Sequence, residues 1–409
     1  MITTDASGSR PGAVVATEAR VRGLLTGAGR DDVVRAALGA RPDQPVAVRV
    51  DRVQHRVGLG VSVGYDVRYG AAQDYLVVSS APLDGAGLAR LERDGLVLHA
   101  WRHPHDPALP GLAAACDVAT VARWLPGTAT LEFCSYRPLR RAVVRAVGAD
   151  GAAVGYLKVV RPGAATDLVR RHDLLADAGV PAPLVLTAPT PGVVLLTPAP
   201  GTPLLDAPVR PRMADVLDVL EELGTEPLAL PARPSWADRV EVHADGAVAA
   251  LGTPSSRPLE LAARLRRVMD AHDAGPLVAT HGDLHPGNLF VADGEVSALI
   301  DVDSLGPGHR VDDVACLLAH LSQAAVTTDV GALRTLTAWL PDAVAHLPRG
   351  VGYPALAARA GAVVLSLVGV AASAAHRWRL LALARAWCVS AETARLDPLM
   401  HHLTRRSSS

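Results

Sequence analysis

Side chains able to do chemistry are concentrated in one segment of this 409-residue sequence, His281-Gly-Asp283-Leu-His-Pro-Gly-Asn288, with Asp301 beyond a second turn signal, Asp293-Gly294. Moving a phosphoryl group asks three things of such a loop. A carboxylate must orient the acceptor hydroxyl and take its proton, oxygen ligands must hold a divalent cation against the phosphates, and a rigid backbone must fix both. Asp283, Asn288 five residues later, and Asp301 have the types and spacing for that work. A single Asp in a Gly/Pro loop is ordinarily a turn former, and Asp293 reads that way. A His, an Asp, an Asn and a second Asp spaced around a hairpin are much harder to reach by chance.

These residues need elements to position them. Leu289–Ala292 and Ser297–Ile300 read as short strands joined by Asp293-Gly294. Upstream, 131–136, 142–147 and 154–160 read as three strands, the last two joined through Gly148-Ala-Asp-Gly151. A helix is expected from about Ala165 to Ala178, closed by Gly179. A strand at Val193–Leu196 and a Pro/Gly linker, 198–203, then lead into a mainly helical remainder. Before all this, residues 1 to about 12 look disordered. Residues 13–38 have helical spacing, Val46–Ser80 alternates like a strand meander, and Trp101–Leu112 reads as a Pro-rich connector. The expected class is α+β, divided into an α/β module of unknown role, a cap being one reading (1–125), a small antiparallel lobe with a hinge (126–203) and a helical lobe (204–409).

The spacing H-x-D-x-x-x-x-N followed by a metal-binding Asp on the next strand is that of a protein-kinase catalytic loop. The segments HGDLHPGN, LIDVD and GHRVDDVA resemble the aminoglycoside phosphotransferase and choline kinase-like family of the protein kinase-like superfamily, from about Thr128 to the C-terminus. The resemblance implies a two-lobed protein kinase-like fold. It also implies transfer of the γ-phosphate of ATP to a hydroxyl of a small molecule such as a sugar, polyol, natural product or antibiotic. By match, Asp283 would be the base and Asn288 and Asp301 the Mg2+ ligands. Asp313 and His281 would support the loop, and the hinge backbone around Thr197 to Ala199 would meet adenine. Mg2+ suits such hard oxygen donors. Lys158, in the third strand of the small lobe, would pair with the α- and β-phosphates. It is the only lysine in a chain with 40 Lys and Arg, and Arg is no equivalent there.

Several features depart from the family pattern. The turn Tyr136–Arg141, which would cover the phosphates, has no glycine. Arg137, Arg140 or Arg141 either touch phosphate or form a solvated basic turn. The helix after Lys158 has no Glu, leaving Asp167 or Asp173 as its partner, or none. His309-Arg310 stands where the family often has Asp-Pro. His285 serves either the loop or the substrate, and Asp303 either the metal site or a turn.

Composition narrows the rest. A net charge of −1 without a basic, aromatic-interleaved stripe argues against nucleic acid. The apolar run Ala360–Ala375 is too short for a membrane span and reads as a core helix. The polar N-terminus lacks a secretory signal. Four unpatterned cysteines read as buried small hydrophobes in a reducing, cytoplasmic compartment. The oligomeric state stays open. Residues 314–409 carry nine arginines against four acids, Asp329, Asp342, Glu392 and Asp397. That balance favours a neutral or anionic acceptor over a polycationic aminoglycoside. A kinase acting on protein is disfavoured by the lack of an A-P-E segment. The alternatives are an aminoglycoside-modifying kinase in the narrow sense and a non-catalytic nucleotide-binding scaffold, and the presence of a base, Asp283, counts against the scaffold.

Overall fold

The computed structural model describes residues 11–404 except 42, 57, 86, 253–254 and 328. Of the N-terminal stretch expected to be disordered, residues 1–10 lie outside the described residues, while Pro11 and Gly12 open a helix. The chain forms two compact units, Met1–Val169 with Val185–Pro198, and Arg170–Leu184 with Ala199–Ser409.

The first unit begins with α1 (Pro11–Thr26) and α2 (Arg30–Leu38). They pack on a five-stranded antiparallel sheet of β1 (Val46–Arg56), β2 (Gly60–Tyr69), β3 (Ala72–Ser79), β4 (Ala89–Arg93) and β5 (Leu96–Arg102), in the order β1-β2-β3-β5-β4. Alternate residues of β2, Val61, Val63, Tyr65 and Val67, are fully buried, as the period of a strand requires. They meet Leu25, Val33 and Val34 of the helices. Two short helices, α3 (Leu112–Ala115) and α4 (Val118–Trp124), follow. Asp117 caps α4 by accepting from the Thr120 amide at 2.9 Å.

The second sheet of this unit is also antiparallel. It contains β6 (Thr130–Arg137), β7 (Arg141–Val147) and β8 (Ala153–Val160), then, after helix α5 (Pro162–Asp177), β9 (Val185–Thr190) and β10 (Val193–Leu196). The order is β6-β7-β8-β10-β9. Ala142, Val144, Leu157, Val159, Val193 and Leu195 pack against Leu109, Leu112 and Val121. Gly179 ends α5 with φ 73°, and Val180 N donates to Leu175 O at 3.0 Å, a Schellman-type close.

The second unit takes in the last part of α5 and, further along the chain, β11 (Thr202–Pro203), α6 (Met213–Glu221), α7 (Val240–Leu251) and α8 (Arg257–Ala271). It then has β12 (Leu277–Thr280), β13 (Leu289–Ala292), β14 (Glu295–Leu299) and β15 (Gly306–His309). Five helices follow, α9 (Arg310–Val326), α10 (Val330–Ala345), α11 (Tyr353–Val368), α12 (Ala374–Thr393) and α13 (Asp397–Thr404). α11 is buried on every side from Ala355 to Leu365 and packs on α9 and α12. Much of the apolar 360–375 run is therefore core, and no helix among the described residues is long and apolar enough to cross a membrane.

The class is α+β, a small antiparallel sheet with one helix and a mainly helical body, with the extra N-terminal module. Some elements differ from the sequence expectations. β4 and β5 form a hairpin through Asp94-Gly95, both at positive φ, in a stretch whose Arg and Glu residues mask the alternation. Trp101 and Arg102, expected in a connector, close β5. β9 contains Pro189 and is half exposed, so its pattern is weak. β11, β12 and β15 add short strands to the part expected to be helical outside one hairpin. The cysteines need a correction. Cys316 and Cys388 are buried, but Cys116 is half-buried and Cys134 is exposed, because β6 is an edge strand with both faces partly open.

Candidate active site

The loop after β12 is held by its own glycine and by a buried carboxylate. β12 pairs with β15, Thr280 opposite Gly306, and Thr280 Oγ1 donates to Gly306 O at 3.0 Å. Gly282 has φ 78°, and a Cβ there would meet Ser304 O at 2.7 Å, so no other residue fits without a shift. Asp313, in the first turn of α9 and 1% exposed, accepts His281 N at 2.8 Å and Gly282 N at 2.8 Å.

His281 is the junction of the site. Its Nε2–H donates to Ile300 O at 2.9 Å, and Nδ1 accepts the Asp283 amide at 3.3 Å. Asn288 Nδ2 donates to Asp283 O at 3.0 Å, and Ile300 N donates to Asn288 O at 3.0 Å. The next residue, Asp301, has a left-handed backbone at φ 59° and starts the turn Val302–Ser304, which contains Asp303. Asp283 and Asn288 thus share one hydrogen-bonded frame with His281 and Ile300, with Asp313 behind it, and Asp301 follows Ile300 directly in the chain.

One residue of the site carries no sequence signal. Trp236, just before the single turn Ala237–Arg239, donates its indole N–H to Asp283 Oδ1 at 2.9 Å. The Arg239 guanidinium lies 4.5 Å from the Trp236 ring and the His243 ring stacks on it at 5.7 Å. His243 Nε2 donates to Trp236 O at 2.9 Å, and burial pushes that imidazole down to about 4, so it stays neutral at ordinary pH. Burial also lowers the Arg239 guanidinium, against the attraction of Asp283.

His285 folds into its own loop, accepting Gly287 N at Nδ1 (3.1 Å), with its ring 5.1 Å from that of His320. Burial, then the His320 imidazole, pushes it down to about 4. The His309-Arg310 pair gains a physical account. His309 Nδ1 donates to Gly275 O at 2.9 Å, Arg310 Nη2 donates to Leu220 O at 2.7 Å, and Arg310 Nη1 is 3.6 Å from Asp313. Beside it, Asp312 pairs with Arg359 at 3.1 Å, and burial raises its carboxyl to about 6.

Among the described residues no group of three or more His, Cys, Asp or Glu is placed to hold a metal ion. An all-protein cage of the structural zinc kind is therefore not what this loop offers. Asn288 has its amide nitrogen engaged by Asp283 O, which leaves its carbonyl oxygen as the end suited to a cation. This carbonyl oxygen and the Asp301 carboxylate are hard oxygen donors, the chemical kind that fits Mg2+ completed by water and phosphate.

The other sequence-derived candidates belong to other segments of the chain. Lys158 is in β8 of the first unit, opposite Val143 and Val194, and is 5% exposed. Thr197 and Ala199 are half-buried and flank the point where the chain leaves the first unit for the second. The glycine-free turn between β6 and β7 has Leu139 at φ 62°. Asp106 Oδ2 accepts both the Leu139 amide at 2.8 Å and the Tyr136 hydroxyl at 2.7 Å.

Residues 141–347 match the sequence model of a family described as "Phosphotransferase enzyme family". Among solved structures, an aminoglycoside phosphotransferase from Streptomyces rimosus is 22% identical, with 69% of this chain and 96% of that one covered at a TM-score of 0.38. A choline/ethanolamine kinase family protein from Mesorhizobium loti is 19% identical, with coverage of 73% and 98% and a TM-score of 0.39. A glucosamine kinase is 17% identical, with coverage of 91% and 96% and a TM-score of 0.36. The family assignment rests on the sequence match rather than on these distant likenesses.

Proposed function

This chain belongs to the phosphotransferase enzyme family, and from that premise we propose that it moves the γ-phosphate of ATP to a hydroxyl of a small neutral or anionic metabolite, sugar or natural product. The observation that supports this is the frame through His281, which ties Asp283 and Asn288 to Ile300, the residue before Asp301.

In this mechanism Asp283 is fixed at two points, its amide on His281 and its Oδ1 on the Trp236 indole. Its second carboxylate oxygen accepts the proton of the acceptor hydroxyl. The acceptor oxygen attacks the γ-phosphorus, the new O–P bond forms as the bond to the β-phosphate oxygen breaks, and ADP leaves with that electron pair. Asn288 and Asp301 would hold Mg2+, which when bound would offset charge on the phosphates. Lys158 pairs with the α- and β-phosphates as a compact point charge. The backbone at Thr197 to Ala199 meets the adenine edge.

Arg239, within the field of Asp283, and the arginine excess of residues 314–409 support a neutral or anionic acceptor over a polycation. A cytoplasmic location belongs to the same proposal and is supported by four free thiols.

ADP release measured with Mg2+-ATP against sugars, sugar phosphates, polyols and aminoglycosides tests it. We expect turnover with a neutral or anionic member, lost in Asp301→Ala. Turnover confined to aminoglycosides would contradict the acceptor class. ADP release that is unaffected by Asp301→Ala would contradict the metal assignment.

A further inference from the structure

We propose that the N-terminal sheet module works in the reaction as the brace of the turn that covers the nucleotide phosphates, with Asp106 as the positioning residue. The inference rests on the reading above, in which the β6–β7 turn covers ATP. It assigns a role to a part of the chain that the family match, which begins at residue 141, does not reach.

A glycine-rich turn adopts left-handed backbone by itself and lays its own amides on phosphate. The turn Arg137-Pro-Leu-Arg140 has no glycine, yet it still places a residue at positive φ, Leu139 at 62°. Pro138 and the turn's own bond, Arg140 N to Arg137 O at 3.0 Å, favour this turn type, but a branched side chain at positive φ is held against its own preference, so contacts outside the turn have strain to offset.

Those contacts come from the N-terminal module. Asp106 lies just beyond the module's last strand, β5, after His103-Pro104-His105, and is 3% exposed. Its Oδ2 takes the Leu139 amide and the Tyr136 hydroxyl together, while Oδ1 takes the Ala108 amide at 2.9 Å. Trp101, the penultimate residue of β5, donates its indole N–H to the Tyr136 hydroxyl oxygen at 3.1 Å. The Tyr136 ring lies edge-on to His103 at 5.2 Å and to Tyr75 of β3 at 6.0 Å, and His103 meets Phe133 at 4.9 Å. The end of β6 and the tip of the turn are therefore bolted to β3 and β5.

This arrangement does more than relieve Leu139. It fixes the backbone of the turn that carries Arg137 and Arg140, between two strands of the sheet that carries Lys158. A cationic turn held rigid from behind is a different solution from a flexible glycine loop, and it suits the same polyanionic ligand.

The test uses the full chain carrying Asp106→Asn or Tyr136→Phe. Thermal melting checks that each variant is folded. Binding of a fluorescent N-methylanthraniloyl ATP, and KM for ATP and acceptor with kcat, are then measured. We expect Asp106→Asn to weaken ATP binding and raise the ATP KM by about tenfold, as loss of a charged hydrogen-bond acceptor does. Tyr136→Phe should do so by about threefold, and the acceptor KM should stay put. In the Asp106→Asn background, Leu139→Gly should recover melting temperature without recovering ATP affinity. Folded Asp106→Asn and Tyr136→Phe proteins that both bind the ATP analogue within about twofold of wild type would overturn the inference. So would recovery of affinity by Leu139→Gly, since Asp106 would then only relieve strain. A wild-type protein that binds no nucleotide would sink the underlying reading itself and this inference with it.

Discussion

Two loops of this molecule solve the same problem in opposite ways. The loop 281–288 in the second unit and the turn 137–140 in the first each have one residue at positive φ, and each hangs from a buried aspartate. Asp313 accepts two backbone amides, and Asp106 accepts one amide and a phenol. The loop has the glycine its backbone needs, at position 282, and its aspartate has Arg310 at 3.6 Å. The turn has Leu139 where a glycine is wanted, and burial pushes the Asp106 carboxyl up from its ordinary value. A loop with the right local residue needs only an anchor. A turn without one depends on a neighbouring module to supply the geometry.

The largest expected effect comes from removing the anchor of the better-built loop. Asp313→Ala leaves one buried and one half-buried amide without an acceptor and Arg310 without its carboxylate. Stability should fall by about 3–5 kcal/mol in denaturant unfolding, the range for breaking a buried ion pair. A loss below about 1 kcal/mol would mean that the loop is held by β12 and β15 instead.

The two positive-φ positions should respond with opposite signs. Gly282→Ala adds a Cβ 2.7 Å from Ser304 O, in a left-handed conformation, and should cost about 2 kcal/mol or more. Leu139→Gly should cost little, or stabilise by up to about 1 kcal/mol, because it removes local strain. Equal losses at both sites would break the comparison.

Trp236→Phe sharpens the account of Asp283. It keeps the stack with Arg239 and His243 while deleting the N–H, and should lower kcat by about tenfold with the ATP KM unchanged. A rise in ATP KM without loss of kcat would place Trp236 in nucleotide binding.

The smallest effect is on pH dependence. His285 is held at about 4 in the folded state against 6.5 for the ordinary imidazole. A depressed value means the unfolded chain binds the extra proton. The contribution is therefore present above about 6.5 and lost as pH falls toward about 4. His285→Asn should flatten that part of the stability–pH curve by about 1–2 kcal/mol, discounted for partial exposure. An unchanged curve would put the acid sensitivity elsewhere, with His320 the next residue to test.

What could be read from sequence was local. The spacing of His281, Asp283 and Asn288 lies within one loop, and the Asp293-Gly294 and Gly179 signals lie at the ends of the elements they close. Asp106 is 33 residues from Leu139 and Trp236 is 47 from Asp283. No periodicity or motif connects such pairs, and the backbone path alone brings them into contact. β4 and β9 were missed because charged residues and a proline blur their alternation. Cys134 was expected to be buried because composition says nothing of which strand lies at the edge of a sheet.

The most direct test of the central claim is Asp283→Ala, with turnover and ATP-analogue affinity measured on the same preparation. The account predicts turnover lower by at least about a thousandfold with affinity within about threefold of wild type, as for a group that acts on the acceptor proton and not on ATP binding. Turnover close to wild type would contradict it.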